Sequence, residues 1–186
     1  MRMIMLTIFL FSGISIETFA GTDEPGDSVI NHHYPVPRLT ERLLFYVQRT
    51  HNMNTIIYEL NFQSEGNLDK QEPLHPLWIR YEEGGLRKEL SFIQNRVYGL
   101  EVSPLENETW LIRFRAYKKR EIYLMRSAKS NIYKAMIRIN GKMAELTSLF
   151  ICSVTNALGI PSTVKYIDIN GIDPATGEVV FERVIP

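Results

Sequence analysis

Two adjacent carboxylates, Glu82 and Glu83, follow Arg80 in the stretch WIRYEEGGLRKEL. A carboxylate pair on one substrate can act as general acid and base in hydrolysis, with an arginine holding an anionic group. The pattern before Gly84-Gly85 predicts a strand, however, and neighbouring side chains of a strand point to opposite faces. We therefore expect Glu82 and Glu83 to diverge and Arg80 to pair with Glu82. The three residues are kept as an alternative site, since either glutamate could meet a partner from elsewhere in the fold.

A cationic stretch offers a second chemistry, the binding of an anion. In WLIRFRAY, alternate residues from Trp110 are apolar, which predicts a strand with one apolar face. Arginines beside a tyrosine on the other face could hold a carboxylate, sulfate or phosphate. The competing interpretation is a solvated face whose charges protect a strand edge from aggregation. With a following turn expected over residues 118–120, the candidate ligand-binding residues are Arg113, Arg115, Tyr117, Lys118, Lys119 and Arg120.

Common catalytic motifs are missing from the sequence. It contains no G-x-S-x-G elbow, H-E-x-x-H pair, Walker-type phosphate loop or G-x-G-x-x-G. Adjacent His32 and His33 lack a third ligand at a fixed spacing, so we expect no metal site and no cofactor. Cys152 lies in an apolar run and is interpreted as a buried, inert thiol. The sequence therefore favours a non-catalytic module that binds an anionic ligand or protein surface; the alternative is a glycan or phosphate hydrolase with a dispersed active site.

The first twenty residues have the pattern of an export signal. Arg2 supplies a positive charge, residues 4–16 are almost wholly apolar, and Thr18-Phe19-Ala20 places small residues where a signal peptidase cleaves. We expect a periplasmic or secreted protein cleaved after Ala20, with no transmembrane segment in the mature chain.

Two further regions follow the predicted signal. Residues 21–38 are rich in Gly, Pro, Asp and Asn and are interpreted as a flexible lead-in, whereas 39–186 have the length of one domain. The formal net charge is zero, yet residues 109–142 carry ten basic residues and one acidic residue, against eight basic and fourteen acidic in 21–108. This asymmetry marks either a binding face or a surface that folding neutralises. A nucleic-acid partner is not expected, because duplex binding needs many more phosphate contacts.

From Leu43 onward, short runs rich in Ile, Val, Tyr, Phe and Trp alternate with turn residues. Asn140-Gly141 predicts a two-residue hairpin, and residues 173–177 predict a second turn. In 86–98, apolar residues recur at spacings of four, three and four, which predicts an α-helix ending at Gly99. The predicted fold is mainly β: an antiparallel β-sandwich or partly open barrel of about 8–10 strands, with the helix at about 86–98 covering one end or open face.

Several phrases in order resemble one bacterial family. They are FYVQRTHNMNTIIYELNF, PLWIRYEEGGLRKELSFIQNRVYG, RFRAYKKREIYL, INGKMAEL and YIDINGIDPATGEVVFERV. Together they resemble the domain of unknown function 4833, a family of Bacteroidetes-type exported proteins, from about Leu43 onward. The resemblance implies export from a Gram-negative bacterium, and it implies no activity, cofactor or catalytic residue.

Overall fold

The computed structural model describes residues 34–127, 130–155 and 161–186. The predicted signal at 1–20, most of the lead-in, and His32 and His33 lie outside the described residues. The last part of the lead-in packs on the sheet: the Tyr34 ring meets the edge of the Phe150 ring at 5.4 Å, and Pro37 is buried. Among the described helices, none has the length and apolar character needed to cross a membrane.

The described chain is mainly β, as predicted, and its strands join in one sheet that curls into a half-barrel. The strands are β1 (Leu43–Arg49), β2 (Thr55–Leu60), β3 (Leu74–Arg80), β4 (Leu86–Glu89), β5 (Leu100–Pro104), β6 (Trp110–Phe114), β7 (Tyr117–Arg126), β8 (Tyr133–Ile139), β9 (Lys142–Thr155), β10 (Pro161–Ile172) and β11 (Val179–Val184). A 3₁₀ turn (Tyr81–Glu83) follows β3, and helix α1 (Phe92–Tyr98) follows β4.

Strand β9 is the branch point of the sheet. β10 pairs along one edge of β9, while β8 and β1 share the other edge, at residues 142–145 and 148–151 respectively. Neighbouring strands are antiparallel except for β1 and β9, which are parallel. Two wings, β1 to β4 and β5 to β8, therefore leave the same edge of one long strand and diverge, which produces the concave face.

The core fills the space between the two wings. Phe45 and Tyr58 stack at 4.5 Å on the first wing, and the Phe114 ring of the second wing meets both edge-on at 6.3 and 5.6 Å. The predicted apolar face of β6 is confirmed, since Trp110, Ile112 and Phe114 are buried. Full burial of one such side chain contributes roughly 1.5–3 kcal/mol, so these contacts hold the wings together.

The predicted helix at 86–98 is wrong in its first half. Gly84 and Gly85 have φ values of 71° and 81°, which reverse the chain. Residues 86–89 therefore pair with β3 as an edge strand, with Leu86 opposite Arg80. The spacing of the apolar residues did not predict this strand, because a hairpin strand of four residues can have the same sequence pattern as one helical turn.

Helix α1 begins six residues later than predicted, at a capping box. The Ser91 hydroxyl accepts from the Gln94 backbone N–H at 3.4 Å, and the Ser91 N–H donates to the Gln94 side chain at 2.8 Å. Gly99 ends the helix as predicted, donating its N–H to the Asn95 carbonyl. Ile93 and Val97 are exposed, and Tyr98 is the buried residue of the helix.

Both predicted turns are confirmed. Asn140 and Gly141 have φ values of 49° and 80°, the positive angles that a two-residue hairpin requires. Between β10 and β11, the Asp173 carboxylate accepts from the Ala175 N–H at 2.8 Å, and Gly177 has a φ of 78°. These local signals were reliable because they depend only on backbone angles within a few residues.

Candidate functional site

The predicted basic site is largely neutralised by acids from neighbouring strands. Arg113 pairs with Glu121 on β7, and Arg120 pairs with Glu182 on β11. Lys118 Nζ lies 2.5 Å from the Glu101 carboxylate of β5. The arrangement matches the competing interpretation, in which cations and acids complete a mixed surface along strand edges.

The remaining members of the basic site lie at its turn. Arg115 Nε donates to the Leu100 carbonyl at 3.3 Å, and within the described ranges the Lys119 side chain has neither a hydrogen bond nor an ion pair. Tyr117 is half-buried and faces the interior. The tight turn is Arg115-Ala116, so the prediction of a turn over residues 118–120 is wrong; those residues belong to β7. The register of the two strands shifts after Ile112, which lies opposite Ile122, whereas Phe114 lies opposite Tyr117, and this irregularity moves the turn.

The alternative site is also divided among separate partners. Glu82 and Glu83 lie in the 3₁₀ turn rather than in a strand. Glu83 pairs with Arg80, so the expected pairing of Arg80 with Glu82 is wrong. Asn54 Nδ2 donates to the Glu82 carboxylate at 3.4 Å. The two carboxylates diverge, as predicted, although the cause is the turn and not strand geometry.

The Arg113–Glu121 pair should make stability depend on pH. Hydrogen bonds from the Tyr123 hydroxyl, at 2.7 Å, and from Arg113 lower the pKa of Glu121. Because the folded pKa lies below the unfolded value, the pair stabilises the fold above the unfolded pKa, and this contribution is lost as the pH falls through the folded pKa. We expect Glu121→Gln to lower the free energy of unfolding near neutral pH and to change it little in acid. Urea unfolding across the acid range measures this; a pH-independent difference between the two proteins would contradict it.

A better candidate lies on the concave face, where the wings diverge from β9. It is a cavity of about 600 Å³ between the sheet and helix α1. Its apolar wall is built from β1, β8, β9 and β10 by Val47, Ile137, Leu149, Ile151, Ile167 and Ile169. Ile93, Val97 and Tyr98 of helix α1 lie across it. An apolar hollow of this volume is within the usual range of small-molecule sites.

Arg49 is the notable polar residue of this cavity. Phe45, Val47 and Arg49 alternate along β1, so the arginine extends an otherwise apolar row into the cavity wall. Its guanidinium carbon lies 5.0 Å from the Trp78 ring centroid and 5.3 Å from that of Tyr98. Among the described residues, no carboxylate pairs with it, and one hydrogen bond is made, to the Tyr98 hydroxyl at 2.6 Å. Since a guanidinium carries five N–H donors, most of its capacity is unused.

Tyr98 fixes the position of Arg49 and of the helix. The Tyr58 hydroxyl donates to the Tyr98 carbonyl at 2.7 Å, and burial raises the pKa of Tyr58 well above its ordinary value. Tyr58 therefore stays protonated and keeps this donor. The chain of contacts from Tyr58 through Tyr98 to Arg49 holds the guanidinium near the Trp78 and Tyr98 rings and leaves N–H donors for an anion.

Trp78 adds an unsatisfied donor beside Arg49. Its Nε1 atom is buried and has no hydrogen-bond partner among the residues that the structure describes. Trp110, in contrast, donates its indole N–H to the Lys70 carbonyl at 3.1 Å. A buried donor without an acceptor lowers the free energy of unfolding. Its presence here shows that few hydrogen-bond acceptors lie near Arg49 among the described residues.

A second hollow, of about 690 Å³, lies on the convex side under residues 36–40. There Arg87 is paired with Glu59 at 2.5 Å. This hollow thus combines a neutralised arginine with a wall made partly by the chain's own N-terminal segment. It is a weaker candidate than the cavity.

Sequence reasoning missed Arg49, although a signal was present. In LLFYVQR the apolar residues at positions 45 and 47 predict an inward face, and Arg49 is the next residue on that face. A charged residue in phase with a buried row requires a partner. Arg49 is the one basic residue in its strand, so it does not belong to any cluster of cations in the sequence.

Comparison with known proteins identifies the family. A family model described as Domain of unknown function (DUF4833) matches residues 45–183. No curated protein and no solved structure matches the chain. The match begins in β1 and ends in β11, so it covers the strands that form the cavity. The chain belongs to the DUF4833 family.

Proposed function

We propose that this chain is an exported, non-catalytic binding module for an amphiphile that has one apolar chain and an anionic head group. The observation that carries the proposal is Arg49, a cation without an acidic partner among the described residues, in the wall of an apolar cavity. The expectation of an anionic ligand is kept, but its place moves from the basic hairpin to the cavity.

The cavity supports both parts of such a ligand. Its aliphatic wall can bury a hydrocarbon chain, and each buried CH₂ contributes about 0.8 kcal/mol. Arg49 lies beside the rings of Trp78 and Tyr98, and its N–H donors that are not bound to Tyr98 can form two parallel hydrogen bonds to a carboxylate or phosphate. Trp78 lies against the same guanidinium.

Export rests on the sequence of residues 1–20, whose charged, apolar and small-residue regions follow the signal pattern. The hydrolase alternative has no observation in its favour: Glu82 and Glu83 are bound to Asn54 and Arg80, apart from the cavity. The polar side chains of the cavity wall carry guanidinium, hydroxyl and amide groups, which suit the orientation of a ligand.

The test is a series of straight-chain carboxylates of increasing length, measured by isothermal titration calorimetry below their micelle concentrations. We expect the affinity to rise by up to about fourfold for each added CH₂, because about 0.8 kcal/mol corresponds to that factor. The rise should stop when the cavity is full.

Alcohols of the same chain lengths provide the matched control. They offer the same hydrocarbon surface without a charge, so they should bind more weakly than the carboxylates at every length. Equal affinity for both series would contradict the role of Arg49, and an affinity independent of chain length would contradict the role of the cavity.

A further inference from the structure

Helix α1 exposes an unusual amount of apolar surface. Phe92 is 78%, Ile93 74% and Val97 43% exposed. With Arg96 they form an exposed face of the helix, which we call the α1 face. Isolated exposed apolar residues are ordinary, whereas a group of adjacent ones marks an interaction site.

The α1 face is continuous with the cavity. Ile93 and Val97 belong to the cavity wall and are also exposed, so they lie at its mouth. Val164 of β10, 39% exposed, borders the same cavity. A partner that covers the α1 face would therefore also cover the mouth of the cavity.

Positive charge accompanies this apolar surface. Arg96 lies one turn from Phe92 on the helix, and the Arg115 backbone N–H donates to the Gly99 carbonyl at 2.9 Å, directly after the helix. Neither arginine has an acidic partner in the part of the chain that the structure describes. Arg113 and Lys118, which lie nearby in sequence, are both paired with glutamates.

We propose that the α1 face docks on an anionic lipid bilayer. Apolar side chains beside two arginines that lack an acidic partner among the described residues fit the boundary between headgroups and acyl chains, and each Lys or Arg near an anionic leaflet adds to the attraction. Docking places the cavity mouth against the bilayer, so an amphiphile passes between membrane and cavity without crossing water. The identity of this cargo rests on the proposed function; the docking itself does not.

The experiment is co-sedimentation of the mature chain with vesicles of phosphatidylcholine alone or mixed with phosphatidylglycerol. Wild type should bind the mixed vesicles, and added salt should weaken the binding because it screens charges over roughly 8 Å. The double variant Phe92→Ser/Ile93→Ser should bind at least about tenfold more weakly, since it loses two apolar side chains. Arg96→Gln should weaken the preference for the mixed vesicles, because Arg115 remains.

Two matched controls separate docking from general effects. Val179→Ser removes a side chain that is 71% exposed on β11, and Arg126→Gln removes a cation that stacks on Tyr133; both should bind vesicles like wild type. Circular dichroism shows whether each variant is folded. No binding of wild type to mixed vesicles, or equal binding by the double variant, would overturn the proposal.

Carboxylate binding in solution distinguishes this proposal from the proposed function. The single variant Phe92→Ser leaves the cavity wall intact; if it binds dodecanoate with the wild-type affinity but binds vesicles more weakly than wild type, docking is supported as a separate property. A wild type that binds vesicles and no carboxylate leaves docking supported and sinks only the proposed function. Self-association of wild type through the α1 face without vesicle binding would overturn docking.

Discussion

Arg49→Gln is expected to weaken the binding of a long-chain carboxylate by roughly 30- to 150-fold, which corresponds to about 2–3 kcal/mol for hydrogen bonds to a charged group. The substitution removes the cation that faces the cavity without an acidic partner among the described residues. Calorimetric titration of wild type and variant with one carboxylate measures the effect. Arg49→Lys should give an intermediate loss, because an ammonium keeps the charge but cannot form the bidentate pair.

The matched control for this variant is Arg126→Gln. Arg126 also stacks on a tyrosine, with its guanidinium carbon 4.9 Å from the Tyr133 ring centroid, but it is not part of the cavity wall. It should bind carboxylates like wild type. The alcohol of equal length tests for collapse of the cavity: its binding should survive in Arg49→Gln. Loss of alcohol and carboxylate binding together would assign Arg49 a structural role.

Arg183→Ala is expected to lower the free energy of unfolding by about 3 kcal/mol. Arg183 donates from Nε and Nη2 to the two oxygens of Asp168, at 2.7 and 2.9 Å, and these bonds raise the arginine pKa. The Asp168 side chain is only 3% exposed, so removal of its partner leaves a buried charge uncompensated. The Arg183 side chain is 41% exposed, which places the loss at the lower end of the usual range of about 3–5 kcal/mol.

Lys118→Ala provides the comparison for that loss. Lys118 also pairs with a carboxylate, Glu101, but the two side chains are 59% and 45% exposed, and pairs of this kind contribute about 1 kcal/mol or less. Urea unfolding of both variants measures the difference. Replacing both members, as in Asp168→Leu/Arg183→Met, should recover much of the stability, because no buried charge remains. Equal losses in Arg183→Ala and Lys118→Ala would contradict a special role for burial.

The candidate site was only partly accessible from sequence. Alternation in β6 correctly predicted that Trp110 and Phe114 are buried, because side-chain direction in a strand depends on residue parity alone. The same alternation placed Arg113 on the opposite face, but it could not predict which acidic residue pairs with Arg113. Glu121 reaches Arg113 only through the pairing of β6 with β7, and the register of that pairing is irregular. The number of basic residues in this segment therefore overestimated how many cations lack an acidic partner.

Local chemistry by itself determined the strand-rich character of the chain, the Asn140-Gly141 hairpin and the helix end at Gly99. Each depends on preferences within a few residues, and such preferences act in the same way in any fold. The capping box at Ser91 belongs to the same class of signal and could have placed the start of helix α1.

Tertiary structure alone decided how the wings leave β9, which arginines remain unpaired and which side of helix α1 faces out. The parallel pairing of β1 with residues 148–151 joins segments about one hundred residues apart in the chain, and no local pattern encodes that partner. That pairing places Arg49 beside Ile151 in the cavity wall, without an acidic partner among the described residues, whereas Arg120, which also borders the cavity, meets Glu182. Which strand lies beside which is set by burial summed over the whole core, so the partner of each charge follows from the fold and not from its neighbours in sequence.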